Sequence, residues 1–396
     1  MKAATIYAYA SRGLIESVQA TSGRERSYRL SELVKLRNTA RGVRNQKDSE
    51  PAVWTGPLIK SSITEIRPEG HRYRGQEALA IAKEGKPFEL VAEMLWDTDE
   101  SDKTEWSRVN PYTIPKVIRK IVSADLDFLD LFKLLLISTE MSDPVARKLL
   151  SDDVFVAARR LIITMAVMPG LFEQRETYLS SAPYPIASTL LGSLSGSKSS
   201  EQTELLNLAL VTCADHELNA SALASRIAAS CDASLHSCVL SALGTFSGSM
   251  HGAASRRAED LVSSSLKFKT ASLWLKDYMR HSERVLGFGT DLYAGGDPRA
   301  KLLIDSAASM RTKNKSLGRL IELVDCVREE LGTEPNLDIG LAAVSYALSL
   351  PSGSGTTLFA VSRTAGWIAH AIEQRMYGSV IRPRARYIGK GAASNN

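Results

Sequence analysis

The chain has 396 residues, 44% hydrophobic and 7% aromatic, enough to bury a sizeable core in one large domain or in two to three smaller ones. Its longest apolar runs, such as Leu131–Ile137, are short or broken by charge, and no secretory leader is visible. The expectation is therefore a soluble cytoplasmic protein without a membrane span. The net charge of +5 is unevenly placed: residues 1–47 hold ten Lys/Arg against three Glu, so the basic character belongs to an N-terminal arm and not to the body.

In that arm Thr5–Gly13 reads as a short helix closed by glycine, and Ser22–Arg29 as a basic hairpin or wing. Leu30–Arg37 reads as a second helix, with Leu30, Leu33, Val34 and Arg37 at helical spacing. Residues 1–45 are similar to the winged helix-turn-helix of MerR-type and excisionase-type modules, in which Arg12, Arg24, Arg26 and Arg29 would touch phosphates. Met1 stands where the first helix and turn of such a module should be. The resemblance thus implies a truncated arm, a relic or a docking element, and nucleic acid is not an expected partner.

Asn45–Ser61 is a polar linker, and Ser62–Gly75 alternates and turns at Pro68-Glu69-Gly70, which predicts a β-hairpin. His71, beside that turn, is expected to be exposed and without function. Phe88–Trp96 predicts an amphipathic helix with Leu90, Val91, Met94 and Leu95 on one face, followed by a charged loop over Asp97–Arg108. Helical runs from Tyr112 to Phe172 read as scaffold, and Ser180–Ser200, rich in Ser, Pro and Gly, as a flexible connection. The four cysteines (Cys213, Cys231, Cys238 and Cys326) form no CxxC pair, so buried free thiols are expected, with no disulfide framework and no metal site.

The densest chemistry lies in Ala214–Ser255, where His216 and His251 stand in polar, small-residue settings at the two ends of two helix-like segments. Asn219 or Ser221 is suited to cap the first segment; Asp232 or Ser234 can start the second, which Gly244 is expected to stop. A histidine among residues with almost no side chain lies where another molecule can approach the backbone. A plain small-residue helix contact with two incidental histidines accounts for the same residues. Arg256–His281 reads as helix, and Leu286–Arg299 as a loop whose four glycines allow it to fold over a ligand or to be an ordinary connection. Glu322–Glu330 is helical, Pro335–Asp338 is a turn into the helix Ile339–Leu350, and Pro351–Gly355 is a break. Leu358–Arg375 is a long apolar helix before the basic extended tail Ile381–Tyr387.

The segments ADHELNAS and MHGAAS, with GFGTDLYAGGDPRAK, PNLDIGLAA, and FAVSRTAGW followed by IRPRARYIG, occur in the order found in citrate synthases, and Tyr73-Arg74-Gly75 matches the small hairpin that precedes their helical body. The chain resembles that family over roughly Ser61–Gly389. The resemblance implies a mainly α fold of two helical domains with a small N-terminal β-hairpin. The large domain would comprise residues 46–251 and 346–396, and a small domain of residues 252–345 would close over the substrates.

It also implies roles. Asp338 corresponds to the base that takes a methyl proton from acetyl-CoA, although the position is equally compatible with a helix cap. His251 corresponds to the donor at the thioester oxygen, and His216 to the histidine that hydrogen-bonds oxaloacetate. Arg299, Arg363 and Arg382 correspond to the carboxylate-binding arginines, the last reaching across a homodimer. Arg384 and Arg386 have no counterpart, and His236, His281 and His370 read as structural. No cofactor is implied beyond acetyl-CoA as substrate.

The family reads G-F-G-H where this chain has Thr290, followed by Asp291. A threonine hydroxyl is a poorer electrophile than a histidine, and losing one such donor typically costs ~10²–10³ in rate. A nearby Asp291 would also repel a dianion. Ala253 and Ser255 are lesser departures from the family's Gly and Asn. Three readings follow: a condensing enzyme slowed or shifted in acceptor, a non-catalytic paralogue that binds, regulates or hetero-dimerises, and, most weakly supported, a DNA-binding regulator.

Overall fold

The computed structural model describes residues 17–19, 26–28, 59–98, 105–121, 127–141, 153–171, 185–310 and 312–384. The helices read at Thr5–Gly13 and Leu30–Arg37, Arg12, Arg24, Arg29 and Arg386, and all but the end of the Asn45–Ser61 linker lie outside these residues. In the arm, β1 (Ser17–Gln19) pairs antiparallel with β2 (Arg26–Tyr28), Ser17 opposite Tyr28.

A second hairpin follows. β3 (Thr64–Arg67) and β4 (Gly70–Tyr73) pair across Pro68-Glu69 with Ile66 opposite His71, and β5 (Gln76–Glu77) adds a short third strand. Strand alternation sends His71 and Tyr73 to one face and Arg72 to the other. Both His71 and Tyr73 are buried. His71 is therefore not the exposed turn residue that its place beside Pro68-Glu69 suggested: it lies one residue into the strand, on the inward face.

Three helices lead on from it: α1 (Ala78–Lys83), α2 (Phe88–Trp96) and α3 (Lys116–Ile121). α2 is buried on more than its apolar stripe, because its two carboxylates are paired. Glu93 accepts from Arg159 Nε at 2.7 Å and Nη2 at 3.0 Å and from Trp106 Nε1 at 2.7 Å, and Glu89 accepts from Ile186 N. α4 (Phe128–Glu140) and α5 (Asp153–Val167) follow. Asp153–Leu171 is long and apolar enough to cross a membrane, but 78% of it is buried inside the protein, as befits a core helix.

The Ser180–Ser200 stretch departs from its reading as a flexible connection. Ile186–Ser195 is a helix, α6, whose Leu190, Leu191 and Leu194 are buried. Its serines bond back to backbone carbonyls, Ser193 to Ala166 O at 2.6 Å and Ser195 to Leu191 O at 2.9 Å, so they do not compete for turn conformations. Among the described residues of the stretch, 196–199 connect the helices, from left-handed Gly196 to the Ser199 cap of α7 (Ser200–Cys213).

Asn219 caps α8 (Ala220–Ser230) through Ser221 N and Ala222 N, and Ser234 caps α9 (Leu235–Phe246); Asp232 has positive φ and only turns the chain. Gly244 does not stop α9, which runs on to Phe246, since the ring of Phe246 is buried and holds the last turn in place. The helical run read from Arg256 to His281 is two helices, α10 (Ala254–Ser265) and α11 (Ala271–His281), the second restarted by the Thr270 cap. α12 (Pro298–Ser309), α13 (Lys315–Leu331) and α14 (Leu337–Ala347) follow, each capped by the Asp or Asn that precedes it. Buried thiols describe Cys213 and Cys238, but Cys231 is exposed and Cys326 half-buried.

The last helix, α15 (Ser354–Tyr377), is the axis. Every residue from Ser354 to Gln374 is buried, and it packs on α2, α4, α5, α7, α8, α9, α10 and α14. A second group forms where α12 and α10 pack on α14 and α11 packs on α13; α14 joins it to α7 and α15. The architecture is mainly α. The hairpin is bolted to the axis by a buried polar chain. Glu373 accepts from Ser62 N at 2.7 Å and Oγ at 2.8 Å and pairs with Arg226, and Arg226 Nε donates to His370 Nδ1 at 3.0 Å. His370 Nε2 lies 3.3 Å from Asp215 Oδ2, which also accepts from Thr64 Oγ1 at 2.6 Å.

Candidate active site

The end of α7 carries its unsatisfied carbonyls toward β4. Tyr73 Oη lies 3.0 Å from Val211 O and 3.3 Å from both Thr212 O and Asp215 O, and accepts from Asp215 N at 3.2 Å. The phenol thereby stands over the end of the helix and, by accepting from Asp215 N, fixes the chain that presents His216. α15 approaches the same turn so closely that Gly366 is required. A Cβ there would lie 2.3 Å from Asp215 Oδ1 and 2.6 Å from Ala214 O. Burial alone would raise the Asp215 carboxyl, but His370, Arg363 and the Thr64 hydroxyl outweigh it and hold the group below its ordinary range.

His216 is buried, with Nε2 2.7 Å from Tyr293 Oη. Desolvation first, then Arg299, His71 and Arg363, push its pKa well below the usual imidazole value, so the ring is neutral. Tyr293 is also buried, and desolvation pushes its hydroxyl up to about 12. Arg299, in the first turn of α12, is buried and held by Asp297 through Nε at 2.9 Å and Nη2 at 2.7 Å. Arg363, on α15, donates from Nε to Cys213 O at 2.8 Å and lies 4.8 Å above the Phe359 ring. Its Nη2 is buried with no partner among the described residues, and both desolvation and the charge of Arg299 oppose its protonation. Two buried guanidiniums near each other, one with an empty donor, make a site for an anion with planar oxygens.

A second cluster, around His251 and Asp338, is built on α8, α10 and α14. Ser221 Oγ lies 2.8 Å from His251 Nε2, 3.0 Å from Trp367 Nε1 and 2.7 Å from Asn219 Oδ1. Indole can only donate, so Ser221 has one proton to give either to Asn219 or to His251. Given to Nε2, it leaves Nδ1–H as the free donor of the ring. Desolvation, with a smaller effect from Arg363, lowers His251 to about 4, so the ring is neutral at neutral pH. The Phe246 ring stands edge-on to it at 5.4 Å and leaves no room at the next position, where a Cβ on Gly252 would lie 2.1 Å from Phe246 Cζ.

Asp338 lies in the first turn of α14, and the cap belongs to Asn336, whose Oδ1 accepts from Asp338 N at 3.0 Å. The carboxylate is half-buried and accepts from Ser255 Oγ at 2.6 Å. Desolvation raises it to about 6 despite that hydrogen bond and the charge of Arg299. A carboxylate at that value is ionised at neutral pH yet basic enough to accept a proton from carbon. The glycine loop is pinned beside it, with Gly289 N on Glu334 O at 2.8 Å and Asn336 N on Gly287 O at 2.9 Å.

Thr290, on that loop, is half-buried, and its hydroxyl accepts from Leu292 N at 3.2 Å; Asp291 is exposed. Arg382 is exposed in the segment after α15, as is Arg384, and Arg382 has no hydrogen bond or ion pair with another described residue. Within one chain, then, His216, Arg299 and Arg363 converge, His251 and Asp338 are each held by a serine, and Arg382 stands apart. Among the described residues no His/Cys/Asp/Glu cluster could hold a metal.

Sequence reasoning missed His71, Tyr293, Ser221 and Ser255. The strand alternation of His71 with Tyr73 was the available signal for the first. Tyr293, Ser221 and Ser255 all lie inside the motifs themselves, but which of their atoms meet which is a tertiary matter.

Residues 53–384 match the model of the citrate synthase C-terminal domain. The chain is 38% identical over 215 residues to the citrate synthase of Haloferax volcanii, covering 52% of this chain and 55% of that relative. It is 33% identical over 242 residues to citrate synthase 2 of Bacillus subtilis, covering 58% and 65%. The matched region thus spans somewhat more than half the length of these curated relatives. A solved citrate synthase of Thermoplasma acidophilum, in ternary complex with carboxymethyl coenzyme A and oxaloacetate, superposes with TM-score 0.73 at 24% identity, over 85% of this chain and 94% of that one. That likeness bears on the fold, while the family match extends over most of the sequence: the chain belongs to the citrate synthase family.

Proposed function

We propose that the site condenses acetyl-CoA with oxaloacetate, or a close keto diacid, to give citrate or its relative and free CoA. The observation that carries this reading is Arg363, a buried guanidinium whose Nη2 has no partner among the described residues, beside Arg299 and His216, with the same Arg299 acting on a carboxylate raised to about 6. Asp338 takes the methyl proton while His251 donates to the thioester oxygen, and the enol forms. Its carbon attacks the keto carbon of the acceptor, whose oxygen takes up a proton, and water then cleaves the thioester to release CoA.

His216 and Tyr293 hold one edge of the acceptor, while Arg299 and Arg363 neutralise its carboxylates. Arg382, exposed and uncommitted, is assigned to the site of a partner subunit in a homodimer. Residues 252–345 are assigned to a small domain that closes on the rest and excludes water.

The alternative, a paralogue that binds these ligands without turning them over, is favoured by Thr290, whose hydroxyl is engaged with its own loop. Release of CoA thiol from acetyl-CoA and oxaloacetate, for the unmodified chain and for Thr290→His, separates the two. Oxaloacetate-dependent turnover by the unmodified chain is the expected result, with Thr290→His changing the rate by up to ~10²–10³-fold. Silence from both proteins would leave only the binding role.

A further inference from the structure

We propose that His71, on the hairpin and outside every motif of the family resemblance that carries chemistry, contacts the acceptor directly. In this assignment its Nδ1 donates a hydrogen bond to the anionic keto acid beside His216. The inference rests on the condensation reading above.

His71 is buried, with Nε2 3.0 Å from Tyr73 Oη and Nδ1 without a partner among the described residues. A buried imidazole nitrogen left unpaired is costly, and such groups in native proteins usually meet a ligand or ordered water. Its ring stands edge-on to His216, centroids 5.3 Å apart, while Nε2 of His216 is already committed to Tyr293. Gly70, the preceding residue, faces the start of α12: a Cβ there would be 3.8 Å from Pro298 Cγ. The strand tip therefore abuts the segment that carries Asp297 and Arg299.

The charges around His71 come from Arg299, Arg363, Asp215 and Asp297. Asp297 is forked onto Arg299, and Asp215 engages Thr64 and His370 through Oδ2 with its Oδ1 turned against Gly366, whereas Arg363 keeps an open donor. That donor is what an anion beside His71 would meet. Burial, with Arg299 and Arg363, lowers His71 to about 3, so the ring is neutral and offers one hydrogen.

Tyr73 decides which nitrogen carries that hydrogen. Its oxygen accepts from Asp215 N, and its single proton has either a carbonyl of α7 or His71 Nε2 to go to. In the second case Nδ1–H is free to donate. The hairpin then supplies a hydrogen-bonding imidazole to a site whose glycine loop, with threonine at 290, does not.

The amide of glutamine reaches the place of an imidazole Nε2, and that of asparagine the place of Nδ1. Calorimetric titration of the full chain, His71→Gln and His71→Asn with oxaloacetate therefore tests the assignment. His71→Gln should weaken binding about ten- to a hundredfold, and His71→Asn should stay within about threefold of the parent. The reverse order would mean that only the Tyr73 contact matters and would overturn the proposal. Equal losses would mean that only ring volume matters, and equal retention would mean that nothing at His71 matters; either result also overturns it and leaves the condensation reading standing. A parent chain that does not bind oxaloacetate would end both. A shared folding defect would weaken both variants alike and does not mimic the expected split.

Discussion

The two halves of the site are held in different ways. On the side proposed for the acceptor His71, His216, Arg299 and Arg363 are buried, and their supports are charged or multiply bonded: the Asp297 fork, the phenol over the end of α7, and the Arg226–His370–Asp215 chain. On the side proposed for acid–base work each group has one neutral hydroxyl behind it, Ser221 for His251 and Ser255 for Asp338. A dianion has to be met by fixed charge before it will leave water, so that half is built like a core. A base that has to change protonation in every cycle works better with light support, because a strong partner would lock it in one state.

Removing the base is the hardest test of this contrast. Asp338→Asn should lower turnover by ~10²–10⁴-fold at neutral pH while leaving oxaloacetate binding intact. It should also stabilise the fold. With a folded pKa of about 6 against ~3.9 in the unfolded chain, Asp338 favours the native state fully below about pH 4 and progressively less as pH rises through 6. Above that, the neutral amide should gain about 1–3 kcal/mol in urea unfolding. The same value places the rising limb of the pH–rate profile of the parent near 6, and a limb near 4 would mean that the carboxylate is not desolvated.

The rigid half is tested at Gly366. An alanine there meets Asp215 Oδ1 and Ala214 O, neither of which can yield without moving His216. Gly366→Ala should destabilise by about 1–3 kcal/mol and weaken oxaloacetate binding more than acetyl-CoA binding. Equal effects on both ligands would dissolve the distinction between the halves. The mildest test is Ser255→Ala, which removes the hydrogen bond that lowers Asp338. The acid limb should move up by less than about one pH unit, with the rate at pH 8 within about fivefold of the parent.

Much of this was legible in the sequence, and unevenly so. Asn219 announces a helix start because an N-cap is a local bargain between one side chain and the next two amides; at α14 the same bargain belongs to Asn336, and the start read at Ile339, with Asp338 as a compatible cap, lies two residues late. The motifs around His216, His251, Arg299, Asp338 and Arg363 are readable because each functional residue is framed by small neighbours and turns. Gly244 and the serines of Ile186–Ser195 were misread for a common reason: tertiary burial overrode a local preference for turns. His71 was misread because one residue of register separates an exposed turn from an inward strand position. That Tyr293 meets His216, or Ser255 meets Asp338, is a matter of helix packing that no local pattern encodes.

The Ser62–Glu373 bond joins residues 311 apart in the chain and ties the hairpin carrying His71 to the helix carrying Arg363. Contacts of such separation close late in folding, because the intervening chain must already be compact before they are worth its lost entropy. During refolding, helix signal should return before the capacity to bind a dianion. The anion site proposed around Arg299 and Arg363 thus reports that both ends of the body have met, and an incompletely folded chain lacks that pair of buried charges.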